Sequence, residues 1–230
     1  TSSATLGTYD LRIMVNDTDG DSTNWSVYDD VIQVVSNPPT ITSYNVTDNS
    51  ILRTETTIVL VEVSDIEDDD PDMSVTVQYR VSSGDWMTNY LEQPWYNSSD
   101  SRWEANFTPL TTAELGYYDI RVMVEDTDGD SSEWTTYDDV INVISNPPLV
   151  TGYNVTNSDI LRTETSLISI EVYDIEDDSY DMSVLAQYRS PSGNWSTDYL
   201  SEIYYNFTTD AWETNFTPNT TAELGDYDIR

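Results

Sequence analysis

The sequence predicts an all-β fold in which two-sheet β-sandwich domains follow one another in series, with about seven strands in each 109-residue repeat. The chain repeats itself without a gap at this period, so that SNPP at 36 recurs at 145 and ILRTET at 51 recurs at 160. Apolar and polar residues alternate at the two-residue period of strands, and helical spacing is nearly absent. A period of about a hundred residues is the size of one domain.

The paired prolines of SNPP mark the predicted domain boundaries, because proline cannot join a central strand and favours an extended connector. Residues 37–145 are therefore predicted to form one complete repeat. Residues 1–36 match only the last two strands of a repeat, and residues 146–230 match its first part, as far as the strand that begins with YDIR. We expect the sequence to be a window on a longer array.

Seven segments of the complete repeat alternate in the manner of half-buried strands. Tyr118, Ile120 and Val122 share one face of such a strand, and Asp119 and Arg121 share the other. Two interpretations of this Asp and Arg stay open, a surface ion pair or a contact across an interface between repeats or chains. The predicted strands are ITSYNV from 41, residues 57–63, residues 73–79, a short strand near NYL at 89, residues 103–107, residues 118–124 and YDDVINVI from 137.

The composition is strongly acidic. Asp and Glu number 43 against 8 basic residues, all of them Arg, and the formal net charge is −35 without any Lys, His or Cys. Nucleic acid and anionic membranes are not expected as partners, because such a surface would repel both. The absence of Cys removes disulfides and thiolate metal sites. We expect the fold to depend on cations, whether bound or supplied by salt.

Sequons for N-glycosylation are unusually frequent. Ten of the sixteen Asn lie in N-x-S/T, whereas a Ser and Thr content of about a quarter would give about four by chance. This favours a glycosylated protein at the cell surface, and the alternative is accidental sequons in Thr-rich strands. Alternation places Asn45 and Asn106 on the outer side of their strands. The predicted sites are Asn16, Asn24, Asn45, Asn97, Asn106, Asn154, Asn194, Asn206, Asn215 and Asn219.

The residues before the YDIR strand carry a resemblance to a known fold. ELGYY at 114 and ELGDY at 223 resemble the tyrosine corner of immunoglobulin-like domains, in which a Tyr at the start of one strand bonds back to the preceding turn. The resemblance assigns this role to Tyr9, Tyr118 and Tyr227. An antibody domain has Cys two residues later, where this chain has Leu or Ile, so apolar packing alone must hold the core.

GYYDIRVMVEDTDGDSSEW followed by NPP also resembles the G-x-Y-x-V-x-L-x-V-x-D-x-D-G signature of polycystic-kidney-disease (PKD) repeats and related immunoglobulin-like repeats. Such repeats occur in tandem on archaeal and bacterial surface proteins, as stalks, adhesins and surface-layer components. The resemblance extends over whole repeats and implies an immunoglobulin-like sandwich. It says little about function, because this fold carries many functions.

Two acidic loops are expected at one pole, because the loops after strands B and F of an immunoglobulin-like sandwich lie at the same end. DIEDDDPD at 65–72 and EDTDGD at 125–130 would converge on the NPP connector, near the carbonyl of Asn37. Carboxylates at this density suit Ca²⁺, and the resemblance to cadherin-type repeats implies calcium that stiffens inter-domain junctions. The alternatives are a plain Asp-Gly turn, a solvated loop or adaptation to a saline habitat. Candidate ligands are Asp65, Glu67, Asp68, Asp126, Asp128, Asp130, Asp174, Glu176 and Asp177.

The leading functional interpretation is structural. A glycosylated extracellular module with identical surfaces at regular intervals would self-associate, and contact neighbouring repeats, in a filament, stalk or surface layer. The second interpretation is an adhesin or a carbohydrate-binding module with Trp95, or Tyr204 one period later, as an exposed platform, whereas Trp86 and Trp103 are expected in the core. An enzyme is not expected, because the chain has no His, Cys or phosphate loop and no carboxylate pair that stands out.

Overall fold

The computed structural model describes residues 4–230. In this part of the chain the only helical segment is a 3₁₀ turn at Asp70–Asp72, and all other regular structure is strand. The predicted all-β fold class is therefore confirmed. The chain divides into two compact units, with the division between Ile144 and Ser145. No helix among the described residues has the length and apolar character needed to cross a membrane.

The first unit begins with an antiparallel hairpin of strands β1, Gly7–Ile13, and β2, Ser26–Val34. Every residue of β1 is exposed, and so is every residue of β2 except Val34. The apolar alternation predicted for these strands is present, but within this unit their apolar side chains remain largely open to solvent.

The rest of the first unit is a two-sheet sandwich. Its strands are β3 Thr40–Val46, β4 Ser50–Leu52, β5 Thr57–Ser64, β6 Ser74–Val81, β7 Trp95–Asn97, β8 Arg102–Phe107, β9 Gly116–Glu125 and β10 Thr135–Ile144. One sheet has the order β3-β5-β8-β7 and the other the order β4-β10-β9-β6. All neighbours are antiparallel except β4 and β10, which are parallel. This is an immunoglobulin-like sandwich.

The core lies between these two sheets, on the faces that the alternation predicts. Tyr118, Ile120 and Val122 on β9 are at most 1% exposed. The rings of Tyr79 and Phe107 lie 5.2 Å apart, and each contacts Tyr118, at 5.8 and 5.6 Å. Such aromatic pairs each add about 0.5–1.5 kcal/mol beyond area burial. Aromatic packing thus fills the centre of a sandwich that has no disulfide.

Two details of the predicted strands are wrong. The segment near NYL at 89 is a turn, with only an isolated bridge between Leu91 and Phe107, and Tyr90 packs against the core. The edge strand of this sheet is β7, which follows that turn and pairs with β8. The prediction also omits β4, whose three residues are too few to show a period of two.

Arginine and tryptophan side chains stack on the outer face of the β6 and β9 strands. The guanidinium of Arg121 lies 4.6 Å from the ring centroid of Trp86 and 4.2 Å from that of Trp134. Arg80 covers Trp86 at 4.5 Å. Trp86 is therefore not a core residue, contrary to the prediction, because two cation–π contacts hold it on the outside of the sheet.

Asp119 and Arg121 do not pair with each other. Asp119 is buried and accepts a hydrogen bond of 2.8 Å from Nε of Arg80, whereas Arg121 donates to the side chain of Gln78. Both partners lie on β6, next to β9 in the sheet. Of the two interpretations left open, an ion pair is present, but Asp119 makes it with Arg80 of the neighbouring strand, which its own strand's alternation does not show.

The second unit repeats most of these strands, but it has no strand at the position of β4, and β13 has two residues where β6 has eight. They are β11 Leu149–Val155, β12 Ser166–Tyr173, β13 Tyr188–Arg189, β14 Trp195–Ser196, β15 Tyr204–Asn206, β16 Ala211–Phe216 and β17 Asp228–Ile229. One sheet has the order β11-β12-β16-β15 and the other β14-β13-β17. Ser166 lies opposite Phe216 as Thr57 lies opposite Phe107, one period earlier. The register of pairing therefore recurs with the sequence.

A cavity of about 570 Å³ opens in the second unit, lined in part by Ile160, Ile168 and Phe216. In the first unit, the corresponding space between the sheets holds Ile141 and Val143 of β10, which are fully buried. The second unit contains no counterpart of β10 within the sequence given.

Candidate metal centre

The two acidic loops contact each other at one pole of the sandwich. The loop after β5 contains Asp68, and the loop after β9 contains Thr127. Thr127 donates its backbone N–H at 3.1 Å and its hydroxyl at 2.7 Å to the carboxylate of Asp68. Because a threonine in a Thr-rich chain gives no signal, sequence reasoning missed this link between the loops.

Asp65 organises the first acidic loop with one of its two carboxylate oxygens. Its Oδ1 accepts the backbone N–H groups of Glu67 at 2.7 Å and of Asp68 at 3.0 Å. This is the turn geometry that favours Asp at such positions. Its other oxygen, Oδ2, is buried and has no hydrogen-bond partner among the described residues.

Asp126 plays the same part in the second acidic loop. Its Oδ1 accepts the backbone N–H of Asp130 at 2.8 Å, across a tight turn in which Gly129 adopts a φ of 92°. The residue is only 6% exposed, and its Oδ2 is buried without a partner in residues 4–230. The predicted ligands Asp128 and Asp130 lie exposed at the tip of this loop.

Glu67 joins the acidic loop to the SNPP connector. Its Oε1 accepts a hydrogen bond of 2.5 Å from the side-chain amide of Asn37, so Asn37 approaches through its side chain. Its Oε2 is buried without a partner in the described part of the chain, and so is the hydroxyl of Ser36. The polar groups that lack partners thus come from both loops and from the connector.

The second unit repeats the first acidic loop and its contact with the SNPP connector. Asp174 is buried, and its Oδ1 accepts the backbone N–H groups of Glu176 at 2.7 Å and of Asp177 at 3.2 Å. Glu176 accepts hydrogen bonds from Ser145 at 2.6 Å and from the side-chain amide of Asn146 at 3.1 Å. The sequence given ends before the counterpart of Asp126, so this unit presents one acidic loop.

Burial of these oxygens has an energetic cost. A buried polar group without a hydrogen-bond partner destabilises a fold by about 1–3 kcal/mol, and by more if it is charged. The residues Asp65, Glu67 and Asp126 each contribute one such oxygen, in a chain whose net charge is already −35. A cation would supply the missing partner. All the donors are hard oxygen atoms, which fit Ca²⁺ better than a transition metal.

The acidic side chains of residues 4–230 do not form a ready-made cage. No group of three or more Asp or Glu residues there is arranged so that it could hold a metal ion. The fit of the site to calcium therefore rests on the chemistry of the donors and on their lack of partners. Ca²⁺ accepts irregular geometry and completes its six to eight ligands with carbonyl groups and water.

The three predicted tyrosine-corner residues make the same bond. Each donates its hydroxyl to the backbone carbonyl four residues earlier, at the turn that precedes its strand. The pairs are Tyr9 with Thr5 at 2.7 Å, Tyr118 with Glu114 at 2.8 Å and Tyr227 with Glu223 at 2.8 Å. The bond to Thr5 shows that the acidic residue of the motif is not needed, because the backbone supplies the acceptor.

The sequon asparagines differ in exposure. Those that lie in exposed positions are Asn16, Asn24, Asn45, Asn154, Asn194 and Asn219. Those that are half-buried are Asn97, Asn106, Asn206 and Asn215. The amide of Asn106 donates to Glu92 at 2.9 Å, so even an outward-facing sequon can be tied to its surroundings.

The predicted aromatic platform is exposed. Trp95 and Tyr204 lie on the surface, and Tyr204 donates its hydroxyl to Glu213 at 3.0 Å. A second aromatic group, which sequence reasoning missed, lies in the second unit. Phe207 is 78% exposed and contacts the rings of Tyr205 at 4.9 Å and Tyr180 at 5.9 Å. The position before it by one period is Ser98, so this group is not part of the repeat.

Comparison with known proteins assigns no family to this chain. No protein-family model matches the chain, and no curated protein matches it. A solved structure that it resembles is FdeC, an Escherichia coli adhesin, at 13% identity and a TM-score of 0.34, covering 96% of this chain and 68% of that chain. A likeness of this size assigns neither activity nor partner, and adhesion is stated of FdeC alone.

Proposed function

We propose that this chain is a structural repeat module of a glycosylated protein on the cell surface, and that calcium binds at its acidic pole. The observation that supports the calcium is the set of buried carboxylate oxygens without partners on Asp65, Glu67 and Asp126. Because no three acidic residues in residues 4–230 are arranged to hold a metal ion, the ion would bind one or two of these carboxylates and complete its ligands with carbonyl groups, water or the hydroxyl of Ser36. Bound there, Ca²⁺ would tie the connector to both loops and stiffen the approach to the repeat.

The structural role has separate support in the sequence. Similar surfaces recur every 109 residues, and regular surfaces at a regular interval favour assembly into a filament, stalk or surface layer. Ten sequons are compatible with a location outside the cell. The resemblance to PKD-type repeats of archaeal and bacterial surface proteins points the same way. No catalytic role is proposed.

Calcium binding is tested by titration calorimetry of the chain after treatment with EDTA. We expect Ca²⁺ to bind the unsubstituted chain and Asp126→Asn to lose that binding. Asp85→Asn is the matched control, because it removes one charge at an exposed turn and keeps the acidic pole intact. Equal binding by Asp126→Asn and the control would place the ion elsewhere, and no binding heat for any variant would remove calcium from the proposal.

A second candidate function is carbohydrate binding, as in an adhesin. The observation that favours it is the exposed group of Tyr180, Tyr205 and Phe207, since sugars stack on exposed aromatic faces. A glycan array would test it with Phe207→Ala, and Leu185→Ala would serve as a control that removes an exposed aliphatic side chain. Binding that Phe207→Ala alone abolishes would establish this function, and an array without binding would exclude the glycans tested.

A further inference from the structure

The sequon asparagines do not place their amide nitrogens in equivalent surroundings. Nδ2 of Asn97 donates to Glu104 at 2.9 Å and to Asp100 at 3.1 Å, so both of its hydrogens are engaged. Asn206, one period later, donates to Glu213 at 2.9 Å. An N-linked glycan is attached through this same nitrogen and replaces one of its hydrogens.

The acceptors in both cases are glutamates buried on the outer face of a sheet. Glu104 is 7% exposed and also accepts a hydrogen bond of 3.0 Å from Nε of Arg102. Glu213 is 2% exposed, and hydrogen bonds, above all from Asn206, lower its pKa. A buried carboxylate is stable only when donors surround it. The asparagine is a donor that recurs in both repeats.

The second repeat lacks the arginine and replaces it with other donors. Position 211 is Ala where the first repeat has Arg102. Glu213 instead accepts from the hydroxyls of Thr209 at 2.8 Å and Tyr204 at 3.0 Å. The pair of Asn and Glu is therefore kept while its surroundings change, which indicates that the bond between them matters for the fold.

The sequon asparagines of β3 and β11 are exposed and do not serve a buried carboxylate. Asn45 is exposed, its Oδ1 accepts the backbone N–H of Val46 at 2.9 Å, and its nitrogen donates no hydrogen bond within residues 4–230. Asn154, one period later, is exposed as well. A sugar attached at either nitrogen would extend into solvent and leave the hydrogen bonds of the fold intact.

We propose that Asn45 and Asn154 carry N-linked glycans, whereas Asn97 and Asn206 are unglycosylated clamps on the buried glutamates Glu104 and Glu213. All four stand in sequons that recur at the period of the repeat, so the sequence alone does not separate them. This inference rests on the proposed function, which places the protein in a glycosylating environment.

Site occupancy measured by mass spectrometry tests the glycan half of the proposal, on the full chain secreted by a glycosylating host. We expect glycan at Asn45 and Asn154 and unmodified Asn97 and Asn206. Glycan at Asn97 or Asn206 would overturn this inference and leave the proposed function standing. A chain without glycan at any sequon would overturn the glycosylated character in both.

Two substitutions that remove the same sequon test the clamp, in unglycosylated chain made in a bacterial cytosol. Asn97→Ala deletes the amide, whereas Ser99→Ala keeps it and also keeps the backbone N–H of residue 99 that bonds to Oδ1 of Asn97. We expect Asn97→Ala to lower the folding equilibrium constant about tenfold, the usual size for a bond to a buried charge, and Ser99→Ala to leave it unchanged. Equal effects would contradict the clamp.

A double variant keeps the test decisive if Asn97→Ala does not fold. Adding Glu104→Ala removes the carboxylate that the amide serves, and removal of both partners of a bond costs less than removal of one. We expect the double variant to fold and to be more stable than Asn97→Ala alone. Additive losses would show that the two residues act independently and would refute the clamp.

Discussion

Tyr118 illustrates how one side chain stabilises the start of a strand. Its ring packs in the core, and its hydroxyl donates to the carbonyl of Glu114 at 2.8 Å. We expect Tyr118→Phe to lower the free energy of unfolding by about 1 kcal/mol, because the hydrogen bond of the hydroxyl is lost while the buried ring is retained. Urea unfolding measures this loss. Tyr117→Phe is the control, since that neighbour is 56% exposed, and an equal loss in both variants would contradict the role of the corner.

Buried tyrosines also set the response of the fold to alkaline pH. Burial raises the pKa of Tyr118 to about 12, and burial likewise raises the pKa of Tyr44 and Tyr79 above the usual value. A raised pKa means that the folded state holds the proton more tightly than the unfolded state does. The stabilisation is complete below about pH 10 and is lost as pH rises through the folded-state pKa.

We therefore expect the urea midpoint to fall between about pH 10 and pH 12, and Tyr118→Phe to reduce this fall. The chain has no Lys, so tyrosine accounts for titration in this range apart from Arg, which stays charged. A midpoint that is constant over the range would contradict the burial of these hydroxyls.

At the scale of single residues, the sequence predicts which side chains are buried better than it predicts which residues they contact or hydrogen-bond. The alternation identifies the inward residues of β5, β6, β8 and β9 correctly. It fails for Trp86 and for the partners of Asp119, because each is decided by contacts with a neighbouring strand. The unpartnered oxygens of the acidic pole are also beyond sequence reasoning, because turn geometry within each loop decides which oxygen accepts a hydrogen bond.

The hairpin of β9 and β10 contains a bulge that one carboxylate stabilises. The pairing shifts between Tyr137 and Ile141, where Asp139 adopts a φ of 54° and donates its backbone N–H to Oδ1 of Asp119 at 2.9 Å. The hairpin of β1 and β2 has the same bulge, with Asp30 bonded to Asp10 at 2.9 Å. A bulge of this kind increases twist and recurs here with the repeat.

Asp119→Ala is expected to lower the free energy of unfolding by about 2 kcal/mol, because Arg80 and the bulge both lose a charged acceptor. Asp138→Ala is the matched control. Asp138 lies 3.9 Å from the same Arg80 but its side chain is largely exposed, so its ion pair is worth about 0–1 kcal/mol. Urea unfolding of both variants compares the two, and equal losses would contradict the role given to Asp119.

At the scale of elements, the sequence predicts long strands and misses short ones. Strands of seven or more residues show their period, whereas β4 and β7 have three residues each. The turn near residue 89 imitates a strand because Tyr90 and Leu91 pack against the core without forming a ladder. Local alternation does not distinguish a buried turn from a buried strand.

The charge of the whole molecule predicts a dependence on salt. With a net charge of −35, repulsion among carboxylates opposes the compact state. We expect the urea midpoint in EDTA to rise as NaCl increases from about 0.05 M to about 0.5 M, because the Debye length shortens over that range. KCl should act equally. A midpoint that is constant or falls would show that this repulsion does not limit stability.

The position of the acidic pole could be predicted from the sequence motifs together with their resemblance to a known fold, but not from composition alone. The acidic loops could be placed at one pole only through the resemblance to the immunoglobulin-like fold, and the contact of Thr127 with Asp68 brings them together there. Which oxygens are satisfied depends on turn geometry within each loop. The calcium itself stays a prediction.

The proposed calcium site is tested most directly by the melting temperature of the Asp126→Asn variant with calcium and with EDTA. Ca²⁺ at about a hundred times its dissociation constant should stabilise the unsubstituted chain by about 2.7 kcal/mol, or roughly 10 °C for a domain of this size. Without calcium, Asp126→Asn should melt at the same temperature or higher, because a buried charge that has one oxygen without a partner is gone, and with calcium it should gain nothing. A variant that melts lower in EDTA and still gains from calcium would contradict the proposed metal centre.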